Sequence, residues 1–81
     1  MIDGSDVLQR LNMIFRDIFD DDTIQLSRET SSIDIEEWDS LNQIKIILEC
    51  EKVFGRSLNA RKISTLDNIG DMVDYILIEI I

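Results

Sequence analysis

The chain has 81 residues, a formal charge of −9, one cysteine and neither proline nor histidine. This length suits one small domain, 1–81, because a second core would have too little volume to bury. Strong acidity argues against a nucleic-acid partner, whose phosphates would be repelled, and a lone Cys50 rules out an internal disulfide.

A cytosolic, reducing setting therefore fits best, and the protein is expected to be cytoplasmic. The polar start from Met1 to Asp6 carries no basic region, so no signal peptide is expected. No apolar run approaches the ~20 residues that a membrane helix needs, so no membrane association is expected.

The first predicted helix spans about 5–19, with Ser5 as its cap. Val7, Leu8, Leu11, Ile14, Phe15 and Ile18 recur at three- and four-residue spacing and form one apolar stripe. A long connection, 20–39, follows, with apolar anchors at Ile24, Leu26, Ile33, Ile35 and Trp38. Ordered loops of this length tend to be functional or pinned by such anchors. Its Asp20–Asp22 cluster suggests calcium, but an EF-hand needs glycine where Gln25 stands and glutamate at Ser31. No metal site is predicted.

The second helix spans 40–54, and Gly55 is placed to stop it. A short helix, 59–64, can take Asn59 as its cap. The last, 66–79, can take Thr65, with Ile69, Val73, Ile76 and Ile80 facing inward. No strand alternation stands out. The expected fold class is all-α, a small bundle of three main helices plus one short helix.

Charge is unevenly spread. Residues 1–39 carry −8, residues 40–64 carry +3 and residues 65–81 carry −4. Such a pattern fits either solvated faces or partner selection.

The second helix has two apolar arcs when about 100° is allotted per residue. Ile46, Ile47, Cys50, Val53 and Phe54 form one, which reads as core. Leu41, Ile44 and Leu48 form another, adjacent to Ser40. A helix in a small bundle needs only one apolar face, so the second arc is either extra core or a docking surface.

Asp39 can cap this helix by accepting from its first amides, which leaves Ser40 without a capping duty. A hydroxyl at the first helical position lies beside unpaired amides and the positive end of the helix dipole, a favourable place for an attached phosphate. The plainer reading is a serine merely tolerated there. Ser40 is no activated nucleophile, because the chain has no histidine and Lys45 lies on the polar sector. Nothing in the sequence supports an enzyme.

The run "WDSLNQIKIILECEKVFG", with "IDIEE" before it and "NIGDMVDYI" after it, resembles the acyl carrier proteins over nearly the whole chain. It looks closest to stand-alone bacterial carriers with a "WDSLN" motif, a group often associated with specialised pathways. The resemblance implies a non-catalytic monomer whose Ser40, flanked by Asp39 and Leu41, carries 4′-phosphopantetheine. That group would come from coenzyme A, through a magnesium-dependent phosphopantetheinyl transferase.

The cargo would be an acyl, aminoacyl or polyketide group held as a thioester. It would be supplied by an acyl- or aminoacyl-loading ligase and passed to acyltransferase or synthase enzymes. Leu41, Ile44 and Leu48 would dock these partners. Ile46, Cys50, Ile63 and Ile69 would line a space for the carried chain, although ordinary core packing also accounts for them. The chain departs from fatty-acid carriers, whose partner face is acidic, by placing Asn42, Lys45, Lys52, Arg61 and Lys62 on or near that face. The competing reading is an unmodified helical module that binds a partner through the same apolar arc.

Overall fold

The computed structural model describes residues 3–80. It contains four helices, α1 (Gly4–Phe19), α2 (Ser40–Phe54), α3 (Ala60–Ser64) and α4 (Ile69–Ile80), and no strand among the described residues. The all-α bundle of three main helices and one short one is as expected.

The apolar stripe of α1 turns inward. Val7, Leu11, Ile14 and Phe15 are buried, while Leu8 and Ile18 are half-buried at its margins. They meet Ile46, Ile47 and Cys50 of α2 and Ile69, Met72, Val73 and Ile76 of α4 in one core. Leu26, Leu58 and Ile63 complete it from the connections and α3. Full burial of a side chain such as Phe15 or Leu11 contributes roughly 1.5–3 kcal/mol.

Two helix starts differ from expectation. Asp3, not Ser5, caps α1, because its carboxylate accepts from the Asp6 amide while Asp6 accepts from the Asp3 amide, each at 3.0 Å. Such a reciprocal pair satisfies two end donors and moves the helix start upstream of Ser5. Helix α4 begins at Ile69 rather than Leu66. Asn68 accepts from the Asp71 amide at 2.9 Å, whereas Thr65 turns back to close α3, donating its hydroxyl to the Lys62 carbonyl at 2.7 Å. Asn59 caps α3 through the Lys62 amide at 3.1 Å, and Gly55 ends α2 with φ +67°, a left-handed conformation suited to glycine.

The connection from 20 to 39 is ordered by its own bonds to the helices. Arg16 donates to the Ile24 carbonyl and Asn12 accepts from the Leu26 amide, both at 2.6 Å. The carbonyls of Arg28 and Thr30 accept from Gly70 and Ile69, each at 2.8 Å, so the loop satisfies two open amides at the start of α4. Leu26 is buried and Ile24, Ile35 and Trp38 are half-buried, as anchors should be.

Ile33 is not an anchor. It is 91% exposed, at the tip of a turn held by the Ser31 amide on the Asp34 carboxylate and the Asp34 amide on the Ser31 carbonyl. Val53 is likewise exposed rather than core. It borders an open groove shared with Arg10 and Met13 of α1 and Glu49 of α2, which leaves it 39% exposed.

Candidate functional site

The start of α2 is built in layers. Asp39 has extended backbone angles and accepts from the Asn42 amide at 2.9 Å, while its carbonyl takes the Gln43 amide at 2.8 Å. Asn42 reaches back to donate to the Glu37 carbonyl at 2.8 Å, which fixes the approach of the preceding chain. Asp39 thus caps the helix without help from Ser40. Its side chain is exposed at the first helical position, beside amides that a helix cannot pair internally.

Trp38 secures this start to the bundle. Its indole N–H donates to Gln43 Oε1, and its ring meets buried Phe15 edge-on at a centroid distance of 5.0 Å. Edge-to-face pairs of this kind contribute roughly 0.5–1.5 kcal/mol beyond area burial.

Ser40 opens on a cleft of about 310 Å³ between the start of α2, α3 and the link to α4. Asp39, Gln43, Ser64 and Asn68 give it polar walls, and Trp38, Ile63 and Met72 give it apolar ones. Only Ile63 of the four candidate cargo-lining residues borders this cleft. Ile46, Cys50 and Ile69 sit in the closed core, each no more than 1% exposed. Burial first, and the neighbouring Glu49 and Glu51 charges second, push the Cys50 thiol up to about 12.

The second arc of α2 is on the outside. Leu41, Ile44 and Leu48 are 62%, 56% and 59% exposed, an apolar strip that no part of the described chain covers. Lys45, Arg61 and Lys62 are exposed as well. Sequence periodicity anticipated the strip, but the cleft walls Gln43, Ser64 and Asn68 had no signal beyond their closeness to the helix ends. Trp38 was visible as an anchor and as the start of the WDSLN run, but not as a cleft wall.

A capped helix start with a free hydroxyl, an adjacent cleft and an uncovered apolar strip define a small helical carrier or docking module. The comparisons narrow this class. The sequence matches the family described as "Phosphopantetheine attachment site" over residues 9–76. An acyl carrier protein of Rubrobacter xylanophilus is 26% identical over 76 residues, covering 94% of each chain. The solution structure of a holo acyl carrier protein from Geobacter metallireducens superposes with a TM-score of 0.82 at 38% identity, covering 90% of this chain and 84% of that one.

The chain belongs to the acyl carrier protein family, non-catalytic carriers of covalently attached 4′-phosphopantetheine. The residues at the start of α2 fit such a group, because an accessible hydroxyl stands beside unpaired helix amides that favour a phosphate. Among the described residues, no helix is long and apolar enough to cross a membrane.

Proposed function

We propose that Ser40 is the attachment point and that a phosphopantetheinyl transferase modifies it, using coenzyme A and magnesium. The observation that carries this reading is the exposed hydroxyl at the first position of α2, relieved of capping by Asp39. Ser40 supplies the oxygen of the phosphodiester bond, and the open amides of the first turn face the charge it brings. When bound, the group supplies a terminal thiol that holds an acyl, aminoacyl or polyketide unit as a thioester.

The chain's own work is presentation. Leu41, Ile44 and Leu48 form the surface on which loading ligases and downstream acyltransferases or synthases dock. Exposed Lys45, Arg61 and Lys62 turn part of that surroundings basic, which favours dedicated partners of a specialised pathway over enzymes that expect an acidic carrier. The single buried thiol, Cys50, suits a reducing, cytoplasmic setting.

The test is intact mass after incubation with coenzyme A, magnesium and a broad-specificity transferase. The wild-type chain is expected to gain the phosphopantetheine mass and Ser40→Ala to gain none. Stability of the variant should stay within about 0.5 kcal/mol, because the side chain packs against nothing in the core. A full mass gain by Ser40→Ala overturns the assignment.

A further inference from the structure

We propose that Trp38 walls the core off from the cleft beside Ser40, and that the carried group rests in the cleft, which confines this carrier to short acyl groups bearing a polar substituent. The inference rests on Ser40 being the attachment point and concerns what is attached.

Trp38 stands at the boundary, together with Ile63 and Met72, core residues that also line the cleft. It lines the cleft, yet it packs against the core, where its ring meets Phe15, a residue with no exposed surface. The bond from its indole N–H to Gln43, itself a cleft residue, holds the ring across this boundary. The interior is closed: Ile46 and Ile69 have no exposed surface and Cys50 has 1%. Close-packed interiors resist added methylenes, so a long alkyl chain would have to displace both the ring and these side chains.

The cleft itself selects for polarity. Its volume of about 310 Å³ lies at the bottom of the roughly 300–1,000 Å³ range of small-molecule sites. Gln43 spends its Oε1 on Trp38 and Asn68 its Oδ1 on the Asp71 amide, which leaves each side-chain NH₂ to donate to a guest. Covering these groups and the Ser64 hydroxyl with an alkyl chain removes water without replacing its hydrogen bonds, which is unfavourable. A hydroxyl, amide or carbonyl oxygen on a short cargo accepts from the two NH₂ groups instead, whereas the Ser64 hydroxyl, which donates to the Arg61 carbonyl at 2.7 Å, can only accept.

The experiment loads wild type and Trp38→Ala from hydroxybutyryl- and octanoyl-coenzyme A with a phosphopantetheinyl transferase, and compares each with the unacylated holo protein. Intact mass comes first, and absence of a mass gain at Ser40 faults the attachment reading rather than this one. NMR then follows the Ser64 and Asn68 amides and the Ile46 and Ile69 methyl groups. In the wild type, hydroxybutyryl should shift the cleft amides and leave the core methyls unmoved, and octanoyl should leave the core methyls unmoved. In Trp38→Ala, octanoyl should shift the core methyls.

Octanoyl shifting Ile46 and Ile69 in the wild type overturns the proposal, as does hydroxybutyryl leaving the cleft amides at their holo positions. Core methyls unmoved by octanoyl in a folded Trp38→Ala overturn the role of the ring. If that variant does not fold, the two wild-type arms decide where the cargo rests.

Discussion

The Gly70 amide donates to the Arg28 carbonyl at 2.8 Å, so closely that a methyl group at Gly70 would stand 3.0 Å from that oxygen and 3.1 Å from the Arg28 Cβ. The long loop is thereby pressed against the start of α4, where the neighbouring bond from Ile69 to Thr30 continues the contact. In an open helix, glycine to alanine stabilises by roughly 0.5–1 kcal/mol. Here the backbone contact blocks it, so Gly70→Ala should instead cost about 1–3 kcal/mol. A lower urea midpoint with an unchanged slope is the expected result, and a higher midpoint would show that the loop moves aside freely.

Cys50 should react slowly with a thiol reagent in the native protein and quickly in denaturant, since it is buried and its thiol stays protonated. The same burial carries a pH signature. The folded value is raised from 9.0 to about 12, so the unfolded chain loses the proton first as pH rises. The Cys50 contribution is fully present below pH 9 and declines by about 1.4 kcal/mol per pH unit until the folded thiol also ionises. Denaturant titrations from neutral to alkaline pH should show this slope, and Cys50→Ala should remove it. Equal slopes in the two proteins would mean the thiol is not desolvated.

Added salt should raise stability near neutral pH. Eleven acidic residues precede Ser40 against three basic ones, and the Arg28–Asp74 pair at 2.9 Å is about half exposed at each side chain, so it offsets little of that repulsion. Thermal unfolding at low and moderate salt measures the effect. A flat response would show that the loop carboxylates stand too far apart to repel one another.

Reversing Lys45, Arg61 and Lys62 to glutamate should weaken loading by a dedicated partner and improve processing by enzymes that expect an acidic carrier. All three side chains are exposed, so the fold should tolerate the change. Like-charge meetings at a docking face cost several kcal/mol, and the difference should shrink as salt screens it. Loading rates of both carriers with both enzyme types provide the comparison. Identical rates would leave docking to Leu41, Ile44 and Leu48 alone.

Whatever depends on residues a few positions apart was readable in the chain itself. The α1 stripe, the Asp39 cap, the Gly55 stop and the uncovered arc of α2 all follow from helical periodicity and end chemistry, which act within one or two turns. The WDSLN run pointed to the family for the same reason, because its helix start is a local structure. Competition between neighbouring caps was harder: Asp3 prevails over Ser5 through Asp6, and Asn68 starts α4 once Thr65 is drawn back to Lys62. Ile33 and Val53 were apolar in the right places for burial, yet burial needs an opposing surface that only the packed bundle supplies. The cleft beside Ser40, the seat of Trp38 on Phe15 and the clearance between Gly70 and Arg28 belong to tertiary structure alone. Each joins residues far apart in the chain, and no local periodicity records a distance that exists only after the helices have packed.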